Sequence, residues 1–241
     1  MFSAWATPNL LRTPFVRAAL ITGGSSGIGL AIARMLRDEG FELTLAARTP
    51  EKLETAAGEL GAHTVIANVG EEEDCERLVR EHAERFGRLD VLVNSAGVGL
   101  GGPTEQLSTK KWDLQLDVNL RGTFVVTRAA IPLLRESRGL VVNLASIAGT
   151  VPVPGLAAYG ASKAGVISLT NSMNRELEAD GIRICALCPG FVDTPMAAWT
   201  GMSNEEMIQP EDCAEIVRLL LRLSPAARIP QVVVERLGDQ P

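Results

Sequence analysis

The chain has 241 residues, 46% of them hydrophobic and 4% aromatic, with a single Tyr and a net charge of −6 from 23 Lys+Arg against 29 Asp+Glu. That acidic balance leaves no basic footprint for nucleic acid or an anionic membrane surface, and no window approaches the roughly 18–20 apolar residues of a membrane span. A soluble protein of one compact domain is expected, since α/β domains often run to about 250 residues and a chain of this size can bury a sizeable core.

The first 17 residues carry Arg12, Arg17, Pro8 and Pro14, no acid and no continuous apolar stretch. They are expected to form a poorly ordered leader rather than a signal peptide, leaving residues 18–241 as the domain. From there, short apolar runs alternate with longer periodic ones. Strands are predicted at Ala18 to Thr22, Glu42 to Ala46, His63 to Ala67, Val91 to Asn94, Leu140 to Leu144, Arg183 to Leu187 and Val232 to Glu235. Between them, helices are predicted at Gly27 to Glu39, Pro50 to Leu60, Glu71 to Phe86, Lys111 to Arg135, Tyr159 to Ala179 and Pro210 to Leu223. Thr49-Pro50 reads as an N-cap followed by Pro at the first helical position, acids at 71 to 74 sit on a helix's positive end, and Gly40 follows a C-terminus. Seven strands joined by helical crossovers imply an α/β fold: a doubly wound parallel sheet of Rossmann type with helices on both faces.

Cys75, Cys185, Cys188 and Cys213 are expected to be free thiols of a reducing compartment, the cytoplasm. Cys185 and Cys188 form a C-x-x-C within a buried strand, with neither a helix N-terminus nor further ligands beside them. They are read as structural thiols, and no metal site is expected.

The first strand runs directly into Thr22-Gly23-Gly24-Ser25-Ser26-Gly27-Ile28-Gly29 and then a helix. Glycines there let the backbone approach a pyrophosphate, and the helix N-terminus attracts it, so a dinucleotide is expected at this turn. The second strand ends in Ala46-Ala47-Arg48. With no carboxylate to bind the ribose hydroxyls and a guanidinium suited to a 2′-phosphate, NADP(H) is favoured over NAD(H).

Ser146 is followed thirteen positions later by Tyr159, and Tyr159 four positions later by Lys163. The i, i+4 spacing puts phenol and ammonium on one helix face. A neighbouring cation favours phenolate, so the phenol pKa is expected below its ordinary value of about 10, fitting it to exchange a proton with a substrate oxygen.

Taken with N-S-A-G at Asn94, L-D-V-N-L ending in Asn119 and Leu120, N-L-A-S ending at Ser146, Y-G-A-S-K at Tyr159 and P-G-F-V-D-T-P-M at Pro189, the chain resembles the short-chain dehydrogenase/reductase family from about Ala18 to Met196. The resemblance implies that Tyr159 is the general acid, that Lys163 holds the nicotinamide ribose and tunes the phenol, and that Ser146 hydrogen-bonds the substrate carbonyl. It implies that Asn119 anchors a water in the proton relay. It places Asn94, Ala96 and Gly97 near the adenosine ribose, Pro189, Gly190 and Val192 along the cofactor, and Thr194 at the nicotinamide carboxamide. Asn68-Val69 stands where relatives carry Asp-Val to hold the adenine, and the ending from Arg228 to Pro241 lacks the family's Gly-rich segment.

The expected reaction is hydride transfer between NADP(H) and a carbonyl or secondary alcohol. Trp199, Met202, Met207 and Ile208 in a lid over 194–209, with Val151, Val153 and Leu156 before Tyr159, favour a hydrophobic substrate. A 3-oxoacyl-[acyl-carrier-protein] reductase is the alternative within enzymes, and a catalytically silent NADP-binding scaffold or sensor the alternative outside them. The two longest helices resemble those that relatives pair between subunits, so a homodimer or homotetramer is expected.

Overall fold

A computed structural model of the chain describes residues 16–238; the expected leader therefore lies, but for Val16 and Arg17, outside the described residues. The seven predicted strands are β1 (Ala18–Thr22), β2 (Glu42–Ala47), β3 (His63–Ile66), β4 (Val91–Asn94), β5 (Leu140–Leu144), β6 (Arg183–Pro189) and β7 (Gln231–Val234). All pair in parallel, in the order β3-β2-β1-β4-β5-β6-β7. The order reverses between β1 and β4, and the crevice above that reversal is where ligands of open α/β sheets bind.

Helices α1 (Gly27–Asp38), α2 (Pro50–Leu60) and α7 (Pro210–Arg222) cover one face of the sheet. α3 (Glu72–Phe86), α5 (Gly122–Ser137) and α6 (Ala157–Glu176) cover the other. Period-two alternation along the strands builds both cores. Ile21, Val93, Val142 and Cys185 point to the first, and Leu20, Leu92, Val141 and Ile184 to the second. The same alternation separates the C-x-x-C pair: Cys185 packs under α1 and α7, whereas Cys188 packs with Val166 and Ala186. Residues three apart on a strand face opposite ways, so these two sulfurs cannot meet.

The helix predicted from Lys111 to Arg135 begins earlier and is interrupted. α4 (Thr109–Leu116), started by Ser108 accepting from the Lys111 N–H, runs into a π-helical turn over Asp117–Arg121 before α5. One such turn inserts a residue into the helical register and re-aims the side chains it carries. The helix predicted from Tyr159 to Ala179 is α6 followed by a single 3-10 turn, Glu178–Asp180. Thr49 occupies the N-cap of α2 as expected but makes no side-chain capping bond. Among the described residues, no helix is long and apolar enough to cross a membrane.

Candidate active site

The turn after β1 requires glycine at two of its positions. Gly23 and Gly27 adopt φ of 66° and 53°, the left-handed region that side chains disfavour. A Cβ on Gly23 would lie 2.8 Å from the Ala96 nitrogen, and one on Gly27 would lie 2.9 Å from Thr194 Cγ2. Above the turn is a cavity of about 280 Å³, lined among others by Gly23, Ser25, Ser26, Arg48, Lys52 and Asn68. Ser26 caps α1 without a side-chain bond, so the helix's first N–H groups have no side-chain partner. Arg48 and Lys52 are the charged side chains among the lining residues, and no carboxylate joins them. An elongated, polyanionic dinucleotide fits these residues.

A second cavity of about 180 Å³ adjoins the first, sharing Ile28, Ser95, Gly97, Thr194 and Met196. Ser146, Tyr159 and Lys163 all line it. Ser146 ends the β5 excursion and heads a 3-10 turn (Ile147–Gly149), its Oγ accepting from the Ala148 N–H at 3.2 Å. That turn lies close on α6 because residue 149 is glycine: a Cβ there would fall 2.7 Å from the Lys163 carbonyl carbon. Successive turns of α6 present Tyr159 and Lys163, and the Lys163 Nζ sits 5.7 Å from the centre of the Tyr159 ring.

The electrostatics differ from the expectation drawn from spacing. Burial pushes the Tyr159 phenol above its ordinary pKa, and a hydrogen bond with Ser146 only partly opposes the shift. Lys163 lies beside the ring. The ammonium is itself buried, its pKa brought down to about 8 by desolvation, and it donates to the Leu144 carbonyl at 2.5 Å. In the protein without ligands the phenol is thus shifted upward, opposite to what the spacing alone suggests, and burial is the cause.

Asn119 stands on the π-helical turn and is fully engaged. Its Nδ2 donates to the Val98 carbonyl at 2.9 Å and to Ser162 Oγ at 3.0 Å, while its Oδ1 accepts from the Val98 N–H at 2.8 Å. Ser162 Oγ in turn donates to the Tyr159 carbonyl at 2.7 Å, so one amide ties the loop after β4 to the turn of α6 that carries the phenol. A buried ladder supports it from the sheet. Asn143 Nδ2 donates to Thr170 Oγ1, Asn94 Nδ2 donates to Asn143 Oδ1 and Thr127 Oγ1, Thr127 Oγ1 donates to the Thr123 carbonyl, and Thr123 Oγ1 donates to the Asn119 carbonyl.

Most of the residues singled out from sequence line the two cavities. Ser25, Ser26, Gly27, Arg48, Asn68, Val69 and Ala96 face the first, Ile28, Gly97 and Thr194 are shared, and Pro189, Gly190 and Val192 face the second. Thr22, Gly29, Asn94 and Asn119 do not line either. Thr22 is buried, its Oγ1 accepting from the Ser95 and Ala96 N–H groups at 3.2 Å, and a side chain on Gly29 would collide with the Gly23 carbonyl. Of the lid, Trp199 reaches the second cavity, whereas Met207 and Ile208 are buried and the parallel bridge between Val192 and Ile208 closes the lid at its base. Val153 and Leu156 line the opposite wall.

Three residues escaped the sequence reading. Lys52 shares the first cavity with Arg48. Phe191 lines the second and meets Trp199 edge-on, ring centres 6.2 Å apart at 74°. Gln115 is buried and accepts from the Leu100 N–H at 2.9 Å. Only Lys52 had a legible signal, since it follows Arg48 by four positions on the first turn of a predicted helix.

A family model described as short chain dehydrogenase matches residues 17–204. An uncharacterized oxidoreductase of Staphylococcus epidermidis is 35% identical over 83% of this chain and 89% of its own length. One from Staphylococcus aureus is 33% identical over 90% and 96%. Among solved structures, an alcohol dehydrogenase from the archaeon Thermococcus sibiricus complexed with 5-hydroxy-NADP superposes with a TM-score of 0.87 at 31% identity, covering 93% of this chain and 98% of that one. A variant actinorhodin polyketide ketoreductase with NADPH gives 0.85 at 36% identity, covering 92% and 96%.

Proposed function

Since this chain belongs to the short-chain dehydrogenase/reductase family, and so is an oxidoreductase acting on an alcohol or carbonyl group with a nicotinamide cofactor, we propose that it reduces hydrophobic ketones, or oxidises the matching secondary alcohols, with NADP(H) in preference to NAD(H). The observation that carries this reading is the pair of adjoining cavities. One has Arg48 and Lys52 as its charged lining residues; the other is walled by apolar side chains, with Lys163 its one charged lining residue. The structural relatives with 5-hydroxy-NADP and NADPH support the same cofactor.

The residues at hand suit the roles proposed for them. The bound nicotinamide supplies or accepts the hydride at the carbonyl carbon. Tyr159 carries its proton at neutral pH, and from the wall of the second cavity it protonates the carbonyl oxygen as that oxygen gains charge. Ser146 Oγ holds that oxygen beside the phenol, and the two hydroxyls together stabilise the developing alkoxide. Lys163 donates to the Leu144 carbonyl and lies beside the Tyr159 ring, where it would hold the nicotinamide ribose. Asn119 positions both the Val98 loop and the Tyr159 turn rather than touching substrate. The Gly-rich turn, Arg48, Lys52 and Thr194 hold the dinucleotide.

Arg121 and Arg128 would be the docking cations of a carrier-protein reductase, but both are ion-paired with Glu72 and Arg128 also with Glu76. This weighs against the acyl-carrier alternative. Exposed Trp112, Leu114 and Phe124 on α4 and α5 support a homo-oligomer joined through these helices, and four buried free cysteines suit the cytoplasm. The test is a panel of open-chain, cyclic and acidic ketones and 3-oxoacyl thioesters, followed by NADPH and NADH oxidation. Turnover of apolar ketones with NADPH is expected; a preference for small charged acids, or for NADH, would overturn the reading.

A further inference from the structure

We propose that Gly99 sets the width of the substrate cavity beside Tyr159, and that the protein takes ketones whose larger substituent is a ring or branched group lying over that glycine. The inference rests on the ketone-reductase reading above and names the shape of substrate it implies.

Glycine at position 99 is required neither by the backbone nor by packing. Its φ lies outside the left-handed region, unlike that of Gly102, at φ 145°, in the same loop. A Cβ built on it would stand 3.5 Å from Met196 Sδ, 3.6 Å from Tyr159 Cε2 and 3.7 Å from Tyr159 Cδ2, all ordinary van der Waals distances. Alanine would fit the empty protein. Gly97 contrasts with it, since a Cβ there would press on Asn119 Oδ1 at 3.3 Å. The missing side chain at 99 therefore leaves a methyl-sized gap against the edge of the phenol, on the wall of the second cavity.

The surrounding loop cannot drift inward to fill that space. Val98 is held through both its N–H and its carbonyl by Asn119, and the Leu100 N–H is held by buried Gln115. Gly102 donates to the Gly155 carbonyl at 2.9 Å, fastening the loop to the opposite wall. Gly99 thus lies between two side-chain anchors. Gly101 also lines the cavity, but a Cβ there would meet the Gly155 carbonyl and Leu156 at 3.3 Å, tighter than ordinary contact, so packing accounts for that glycine.

The test compares wild type, Gly99→Ala and Gly99→Val with NADPH on 2-butanone and on the bicyclic ketone 1-tetralone. One added methyl in a snug apolar pocket is worth on the order of 10–200-fold in discrimination. The ratio of kcat/KM for 1-tetralone over 2-butanone should fall about tenfold or more in Gly99→Ala and further in Gly99→Val, with the KM for NADPH unchanged. Met196→Ala in the Gly99→Ala background, which removes the facing thioether, should restore part of the ratio. An unchanged ratio in a variant that keeps its melting temperature and NADPH affinity overturns the proposal, as does an equal fall on both ketones. Wild type that reduces 2-butanone but not 1-tetralone overturns it while leaving the ketone reading intact; no turnover with either ketone overturns both.

Discussion

Asn119 grips the backbone of Val98 at both ends of one residue, accepting from its N–H at 2.8 Å and donating to its carbonyl at 2.9 Å. Truncating it would leave a buried donor and acceptor unpaired, at roughly 1–3 kcal/mol each. Asn119→Ala should therefore lower the melting temperature and also cut kcat. Asn119→Asp keeps the accepting oxygen but loses the donor, and should fall between. Chemical denaturation beside steady-state kinetics measures both, and a variant as stable and as active as wild type would remove Asn119 from its positioning role.

Tyr159→Phe should leave NADPH affinity within about twofold and reduce kcat by at least about 10²-fold, the usual range for a lost general acid. Cofactor titration by fluorescence and turnover with an apolar ketone separate the two quantities. Unchanged turnover would exclude Tyr159 as the proton donor.

Lys163 yields a prediction about stability. Its folded pKa is about 8, below the ordinary 10.5 that the unfolded chain shows. Between those values the unfolded state binds more protons, so this group makes the ligand-free protein more stable as pH rises through that window. The stability of wild type relative to Lys163→Met should shift in favour of wild type by roughly 3 kcal/mol between pH 7.5 and 10.5. Urea unfolding at the two pH values would show it, and a pH-independent difference would mean the ammonium is solvated.

Arg48 and Lys52 are both expected to meet the 2′-phosphate of NADP(H). Charge-assisted bonds of this kind are worth about 1.5–3 kcal/mol. Arg48→Ala and Lys52→Ala should each raise the Kd for NADPH by about tenfold or more and leave that for NADH nearly unchanged. Equal losses for the two cofactors, read by calorimetry, would remove the phosphate contact.

All four cysteines are buried, and burial raises their thiols to about 11 for Cys75 and Cys188 and about 12 for Cys185 and Cys213. Thiolate is the reactive form. A disulfide reagent should label none of them at pH 7.5 in the native protein and all four in urea; rapid native labelling of Cys188 would show that the sheet opens there.

What the sequence disclosed follows from which forces act locally. Strand and helix positions were legible because alternation and periodicity report burial directly, and the sheet's core faces follow from them. Boundaries drifted where tertiary pairing extends an element: β6 reaches Pro189 because β7 pairs beyond the end of β5. The π-helical turn at Asn119 left no trace in periodicity, since one inserted residue is lost within a long apolar helix. Gln115 and Phe191 were silent for another reason, because their partners lie in loops whose course only the assembled fold determines. The upward push of burial on the phenol was not legible, because spacing shows that a cation is near but not how much water has been excluded.

The order of the strands also governs how the protein comes to be functional. The dinucleotide turn, Arg48 and Lys52 belong to the first half of the sheet, and Ser146, Tyr159 and Lys163 to the second; the halves join along one seam, β1 on β4, where Leu20 pairs with Leu92. That seam closes about seventy residues of intervening chain, and closing it carries an entropic cost. Neither half can host a complete reaction before it forms. A dinucleotide bound across the seam would stabilise the joined state by mass action, so the nicotinamide cofactor would also act as a clasp between the two halves of the sheet.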